Sequence, residues 1–118
     1  MRSRVLARSS PPSPADQAIY LRVEHRLVRV SLDDILFVEA CENYVRVHTA
    51  AKVHMTKRTM REMETELGTH GFRRVHRSYL VNLRRVDRVD ADGLVVAGRR
   101  VPVGRRLREG VVAALRVV

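Results

Sequence analysis

The chain has 118 residues, about one domain, and 45% of them are apolar, which is enough for one compact core. Its 23 Lys and Arg residues outnumber 13 Asp and Glu residues, and the net charge of +10 favours a polyanionic partner such as nucleic acid or an anionic membrane, between which composition alone does not choose. The single cysteine excludes an internal disulfide, and no apolar run approaches the ~20 residues of a membrane-spanning helix. We therefore expect a cytoplasmic protein with no membrane contact.

Two regions of different composition divide the chain. Residues 1–17 hold three of the four prolines and most of the serines, a composition that predicts a flexible tail or linker. Residues 18–118 keep most of the positive charge and of the apolar residues. We expect this second region to form the folded domain and to carry the binding surface.

Apolar and polar residues alternate from Ala18 onward, which is the period of a strand with one buried face. A polar break at residues 24–26 predicts that two such strands form a hairpin. Residues 31–34 then predict one helical turn, residues 35–39 a third strand and residues 44–49 a fourth.

The fourth and fifth strands are predicted to pair so that their apolar faces coincide. Val47 would then lie opposite Met55, and Thr49 opposite Val53, because a slip of one residue would turn the fifth strand's apolar side chains to solvent. Two histidines would face each other on the other, polar face, but two imidazoles without a third ligand predict no metal site. That polar face would carry Tyr44, Arg46, His48, His54, Thr56 and Arg58.

A capping-box pattern, Thr59 followed three residues later by Glu62, predicts the start of a helix. Gly68 stands where such a helix would end. The apolar face of this helix would consist of Met60, Met63 and Leu67.

The second half of the chain predicts short strands followed by a helix. Residues 86–90 and 94–97 predict a hairpin whose three-residue loop requires Gly93 at positive φ. The other predicted elements are a strand over residues 72–75, a short helical or turn segment over 78–82, a last strand over 100–103 and a helix over 105–117.

Three sequence blocks in this order resemble the LytTR family of bacterial transcriptional regulators. Residues 35–49 have the form IxxVEAxxNYVxVHT, and residues 72–83, FRRVHRSYLVNL, alternate apolar anchors with basic residues. Residues 101–103, VPV, precede further arginines. Gly104 stands where the family often has Ser, so the hydroxyl contact to DNA is in doubt and Arg105 would make the DNA contact of that loop. The resemblance covers about residues 18–110.

The resemblance implies a mainly β fold with one or two short helices, elongated and LytTR-like, whose loops read DNA. Asn43 would face bases in one major groove, since a side-chain amide can donate and accept on one base edge, and Arg105 would enter the next groove. Arg77 would lie near the DNA backbone between the two grooves, where a guanidinium can bridge phosphates. Lys57 and Arg58 would hold the flank of the DNA strand. The full set of DNA-binding residues implied is Asn43, Tyr44, Arg46, Lys57, Arg58, His76, Arg77, Arg105 and Arg106.

The function implied is sequence-specific binding of double-stranded DNA at promoter repeats. The chain would be the output domain of a two-component response regulator, with an upstream receiver or sensor protein, or a stand-alone regulator. Two copies would bind repeats spaced by about 10 bp, as a homodimer on DNA. No enzymatic activity and no cofactor are expected, because no phosphate-binding loop or nucleophile elbow is present.

Several of these residues also have structural explanations. Asn43 is typical of a turn with positive φ, and Arg77 is equally suited to an ion pair with Asp87 or Glu39. For His76 the structural role, a ring hydrogen-bonded to the backbone of a turn, is the preferred interpretation. Phe72, Tyr79, Leu80 and Val81 are predicted to be core residues, and Asn82 is predicted to bond to main chain.

Two other functions remain open at this point. Small basic β domains bind single-stranded nucleic acid or RNA by stacking bases on aromatic rings, and Tyr20 and Tyr44 are the candidate platforms. With only 4% aromatic residues, that mechanism has few rings to use. The chain could also be a protein-interaction module whose exposed strands pair with a partner.

Overall fold

The computed structural model describes residues 17–118, so the predicted tail, except Gln17, lies outside the described residues. The fold is mainly β with two short helices, as predicted, and measures 52 × 40 × 24 Å. Its strands are β1 (Ala18–Val23), β2 (Arg26–Ser31), β3 (Ile35–Cys41), β4 (Tyr44–Thr49), β5 (Val53–Thr56), β6 (Phe72–His76), β7 (Tyr79–Asn82), β8 (Val86–Asp90), β9 (Gly93–Val96) and β10 (Arg99–Val101). The helices are α1 (Met60–Leu67) and α2 (Arg108–Ala114), and 3-10 turns lie at Leu32–Asp34, Gly68–His70 and Leu83–Arg85.

A five-stranded antiparallel sheet with the strand order β5-β4-β3-β7-β6 forms the centre of the molecule. One face packs against the β1–β2 hairpin and α1, in a core that includes Leu21, Val38, Val47, Met63, Leu67 and Leu80. The other face packs against the sheet β10-β9-β8 and α2, in a core that includes Phe37, Val75, Val81, Leu94, Val101 and Val111.

Strand β3 shows why the central sheet is covered twice. Its first four residues form an uninterrupted apolar run, and all four are buried. Alternate residues of a strand point to opposite faces, so Val38 enters the first core and Phe37 the second. An apolar run of this kind is typical of a strand with no solvent face.

Three connections lie at the same end of the central sheet. Because neighbouring strands are antiparallel, β3, β5 and β6 run in one direction and their last residues reach the same edge. The connections that follow them are residues 42–43, 57–59 and 77–78. The β4–β5 turn lies at the opposite end.

The predicted register of β4 and β5 is wrong by one residue. Thr49 pairs with Lys52 through its backbone N–H, 2.8 Å from the Lys52 carbonyl oxygen, and its hydroxyl donates to the same carbonyl at 2.7 Å. These bonds close a two-residue turn instead of the three-residue loop that matching apolar faces would require. Val53 and Met55 are therefore exposed, at 42% and 41%.

The predicted polar face is wrong for the same reason. Val47 pairs with His54 and Val45 with Thr56, so His54 and Thr56 lie on the buried face. His48 lies on the other face of the sheet, where its ring stacks on Phe37 at 4.3 Å between centroids. The two histidines thus lie on opposite faces. Thr56 satisfies its hydroxyl by donating to the Arg22 carbonyl at 2.8 Å.

Two further local predictions need correction. Residues 79–82 form strand β7 and not a helical or turn segment, because Leu80 enters the first core and Val81 the second. Gly93 pairs with Asp90 and does not have positive φ; a Cβ atom there would lie 2.6 Å from the Val101 carbonyl oxygen. The predicted end of the helix is confirmed, because α1 ends at Leu67 and Gly68 is its C-cap; Gly68 has right-handed helical φ and ψ, and the chain continues into a 3-10 turn.

The helix start and the role of Asn82 are confirmed. The Thr59 hydroxyl accepts from the Glu62 N–H, and the Glu62 carboxylate accepts from the Thr59 N–H. Asn82 is fully buried, and its side-chain amide donates to the Ile35 carbonyl oxygen at 2.9 Å. Its side-chain oxygen accepts from the Arg84 N–H at 3.1 Å, so one side chain joins the end of β7 to the start of β3.

We expect Asn82→Ala to lower the free energy of unfolding by about 1–3 kcal/mol, because the buried Ile35 carbonyl oxygen would lose a hydrogen-bond donor. Urea unfolding followed by circular dichroism measures the change. Thr65→Ala on the exposed face of α1 is the control and should change stability by less than about 0.5 kcal/mol. Equal effects of the two substitutions would contradict the stabilising role attributed to the Asn82 hydrogen bonds.

Stability should also fall on acidification through His54. Burial lowers the pKa of His54 below its ordinary value of 6.5, and the nearby Lys52 lowers the pKa further. The unfolded chain therefore binds the proton more readily, and stability is lost as the pH falls from 6.5 towards the lowered folded pKa. His54→Gln should reduce the loss of unfolding free energy measured between pH 7.5 and pH 5.5. An unchanged pH dependence in this variant would show that His54 does not contribute.

Candidate nucleic-acid interface

The predicted DNA-binding residues lie mostly in a row of four connections at one end of the central sheet. Along this row the order is residues 57–58 after β5, the β3–β4 turn, the β6–β7 turn and the loop before α2. The last of these is held beside β6 by a 2.7 Å hydrogen bond from the Gly104 N–H to the Val75 carbonyl oxygen. Four strand intervals of about 4.8 Å give the row a length of roughly 20 Å.

Asn43 is exposed in the β3–β4 turn, and its side chain makes no hydrogen bond that holds the turn within residues 17–118. Glu42, and not Asn43, adopts positive φ (56°) in this turn, so the turn-residue explanation of Asn43 is wrong. Within residues 17–118 the Asn43 amide has no hydrogen-bond partner, and the residue is exposed. Asn43, Tyr44, Lys57 and Arg58 line one depression at the sheet end, so the structure brings these four predicted residues together.

The β6–β7 turn is held by two neighbouring side chains. The Arg74 guanidinium donates to the His76 carbonyl oxygen at 3.0 Å and to the Arg77 carbonyl oxygen at 2.6 Å. A third bond, 2.9 Å to Glu64, attaches Arg74 to α1. The His76 ring accepts from the Ser78 N–H at 3.1 Å, which is the backbone contact predicted as its structural role.

Arg77 lies in this turn, and its side chain has no partner within residues 17–118. Both acids proposed as its partners are engaged elsewhere: Asp87 accepts from the Ala97 N–H at 2.8 Å, and Glu39 accepts from Tyr79 and His48. The ion-pair explanation of Arg77 is therefore wrong. The residue is exposed, and its guanidinium has no partner in the described part of the chain.

A polar network behind the row centres on Glu39. Tyr79 donates to one carboxylate oxygen at 3.0 Å, and His48 Nε2 lies 2.9 Å from the other. Since Arg99 can only donate, its 2.9 Å contact makes His48 Nδ1 an acceptor and assigns the ring proton to Nε2. Burial alone would raise the pKa of Glu39, but the hydrogen bonds from His48 and Tyr79 outweigh burial and lower it.

The positive charges of the row are only partly neutralised within the protein. Arg46 lies 3.7 Å from Glu39, and Arg58 lies 3.3 Å from Glu62. Elsewhere some arginines are paired with acids, as Arg88 is with Asp90 at 2.9 Å, and others, such as Arg22, have no acidic partner within residues 17–118. In the row, no acidic partner within the described residues contacts the side chains of Lys57, Arg77, Arg105 and Arg106.

The loop before α2 differs from its prediction. The helix begins at Arg108 and not at Arg105, so Arg105 and Arg106 occupy an exposed turn. A hydrogen bond of 2.9 Å from the Leu107 N–H to the Gly104 carbonyl oxygen closes this turn. Val111 is buried in the second core and anchors the helix behind it.

Sequence analysis missed Arg74 and Glu39 as residues that support the site. Both act through contacts distant in sequence, Arg74 through Glu64 and Glu39 through Tyr79, and no local pattern marks them. No cluster of three or more His, Cys, Asp or Glu side chains suited to a metal ion occurs in the part of the chain that the structure describes. None of the helices described is both long and apolar enough to cross a membrane.

Comparisons with solved structures show the same fold. A LytTr DNA-binding domain from Bacillus cereus superposes with a TM-score of 0.72 and 22% identity, over 82% of this chain and 94% of that domain. At this identity the likeness concerns the fold alone.

Two curated proteins are also similar in sequence. The sensory transduction protein LytT of Bacillus anthracis is 27% identical over 103 residues, which are 82% of this chain and 42% of that protein. The CO-responsive transcriptional regulator RcoM of Rhodospirillum rubrum is 38% identical over 78 residues, which are 60% of this chain and 33% of that protein. The chain thus spans less than half the length of either relative.

The family comparison covers most of the chain. The model of the LytTr DNA-binding domain matches residues 25–116, close to the range over which the sequence blocks showed the resemblance. This match includes all four connections of the row. The chain therefore belongs to the LytTr DNA-binding domain family.

Proposed function

We propose that the chain binds double-stranded DNA in a sequence-specific manner through the four connections at the end of the central sheet. The observation that carries this proposal is the row itself: four exposed cations and one side-chain amide that have no partner within residues 17–118 share one edge of the fold. Unpaired guanidinium and ammonium groups release counterions when they meet phosphates, which supplies affinity. A free amide on a closed turn supplies base recognition.

The order of the connections suggests a division of roles. Asn43 and Arg105 read base edges, Asn43 by donating to and accepting from adenine and Arg105 by a bidentate contact to guanine. Arg77, which lies between them, contacts the phosphates, as does Lys57 at the end of the row. Tyr44, Arg46, Arg58, His76 and Arg106 flank these four residues and complete the proposed contact surface.

The length of the row limits how it meets DNA. Successive major grooves are about 34 Å apart, whereas the row measures roughly 20 Å. Asn43 and Arg105 therefore reach two successive grooves only if their side chains extend towards the groove edges and the intervening DNA bends or compresses. Bending energy depends on sequence, so the uncontacted base pairs between the grooves contribute to specificity.

The biological role proposed is regulation of transcription in the bacterial cytoplasm. Residues 18–118 act as the DNA-binding domain and residues 1–17 as a linker, in a response regulator with an upstream receiver or sensor or in a stand-alone regulator. Two copies on promoter repeats form the active complex. The names of the relatives, a sensory transduction protein and a CO-responsive transcriptional regulator, support a link to signal sensing.

Selection of bound duplexes from a random pool tests the proposed function. We expect a conserved motif to emerge, and Asn43→Ala and Arg105→Ala should each relax the preference at one position by about 1–3 kcal/mol. Fluorescence anisotropy with single-base variants of the selected duplex measures the preferences. Displacement of this duplex by an equal concentration of single-stranded DNA would contradict the proposal in favour of a single-strand binder.

The phosphate role of Arg77 predicts a change in salt dependence. Contacts to about six phosphates should give a slope near −5 for log K against log salt concentration, and Arg77→Ala should make that slope shallower by about one. Lys52→Ala is the matched control, because this exposed lysine lies in the turn at the opposite end of the sheet. The control slope should equal that of the parent; equal changes in both variants would contradict an oriented site.

Arg74 provides a second comparison, because its three hydrogen bonds position the β6–β7 turn and attach it to α1. Arg74→Gln removes both the charge and the fork that spans two carbonyl oxygens. We expect this variant to weaken duplex binding while the salt slope stays unchanged. A slope shallower by one would instead place Arg74 among the phosphate contacts.

A further inference from the structure

A second surface of the protein, which adjoins the row of connections at the sheet end, exposes large apolar side chains. Tyr20 is 63% exposed, Leu27 58%, Tyr44 44% and Met55 41%, and all four line one groove between the β1–β2 hairpin and the edge strand β5. We call this the hairpin groove. Clustered exposed apolar residues usually mark an interaction site, whereas scattered ones do not.

The fold builds this groove from two strand faces. Pairing Arg22 with Leu27 and Tyr20 with Arg29 places these side chains on the outer face of the hairpin, while Leu21 and Val30 fill the core beneath. Met55 points outward because of the two-residue turn that sets the β4–β5 register.

The two walls of the groove are also tied together. The Thr56 hydroxyl donates to the Arg22 carbonyl oxygen at 2.8 Å, which joins the hairpin to β5. Little rearrangement is therefore needed to present the groove to a partner, and a preorganised surface loses less entropy on binding.

The charge around the groove indicates the chemistry of its partner. Arg22 and Lys57 have no partner for their side chains within residues 17–118, and Arg58 is shared with Glu62. The sole acid among the lining residues is Glu24. Tyrosine, methionine and arginine are the residue types enriched in the centres of protein interfaces.

We propose that the hairpin groove docks a protein segment that combines acidic residues with large apolar side chains. The apolar side chains of that segment cover Tyr20, Leu27 and Met55, and its carboxylates pair with Arg22 and Lys57. Met55 is suited to this role, because its unbranched thioether adapts to different apolar partners. The groove shares Tyr44, Lys57 and Arg58 with the proposed DNA contact surface, whereas Tyr20, Leu27 and Met55 lie outside that surface.

Other occupants fit the groove less well. The DNA backbone offers charge without a matching apolar surface, so it would leave Leu27 and Met55 uncovered. A second copy docked through the same groove would bring its own basic rim against this one. Residues 1–16 carry three arginines and a single acid, so they do not supply the negative charge that the rim requires.

The test is selection from a displayed library of random 16-residue peptides, with the full chain as bait. We expect the selected peptides to converge on acidic residues interspersed with Leu, Phe or Trp. Synthetic copies should bind Tyr20→Ser/Leu27→Ser about 30-fold more weakly than the parent, as expected for the loss of two central interface residues. The control is Leu107→Ser, which removes an apolar side chain of 38% exposure outside the groove and should leave peptide affinity unchanged.

Each other outcome overturns the proposal. Peptides that are not acidic, or that bind the double variant as well as the parent, would exclude this groove as the acidic docking site. Oligo(dT) binding that disappears in the double variant would make the groove a single-strand platform. A dimer in sedimentation that the double variant converts to monomer would identify a second copy as the occupant. Duplex affinity of the double variant separates these results from failure of the DNA proposal, because neither substituted residue belongs to the proposed DNA contacts.

Discussion

Burial of the central sheet on both faces is the constraint on which the rest of this structure depends. With Val38 packed under the hairpin and Phe37 packed under the second sheet, neither face of β3 can bind a partner. Binding is left to the strand ends and to the outer surfaces of the covering elements. Antiparallel pairing brings the connections after β3, β5 and β6 to one end, which is why residues distant in sequence form a single row.

Polar contacts at the two ends of the sheet have different consequences. At one end, buried Asn82 joins β7 to β3 and contributes to stability. At the other end, the charged groups of Arg74 and Glu39 are hydrogen-bonded to neighbouring carbonyl, hydroxyl and imidazole groups, so their charges act mainly within the protein. Within the described residues Arg77 is the exposed charge of the β6–β7 turn that has no partner, so the residue that orients the turn, Arg74, differs from the one proposed to bind.

Features set by short-range chemistry could be predicted from the sequence, and those set by distant contacts could not. The capping box at Thr59 needs only the residues of its own first turn, and the structure has it as predicted. The β4–β5 register depends on the hydrogen bonds between Thr49 and Lys52, which override the match of apolar faces. Strand β7 lacks alternation because Leu80 and Val81 enter different cores, so its sequence resembled a turn. Resemblance to the family led to the proposed site residues, but only the fold showed that Asn43 and Arg77 lack side-chain partners within residues 17–118.

The register that could not be predicted also bears on the two proposed binding surfaces. Had β4 and β5 paired in the expected register, Met55 would have entered the core and His54 would have faced solvent. The observed pairing exposes Met55 beside Tyr44 and places Lys57 between the hairpin groove and the row. A cation shared by two surfaces is available to one polyanion at a time. An acidic segment in the groove would therefore withdraw one phosphate contact from the row, so docking of the partner and binding of DNA are expected to oppose each other through Lys57.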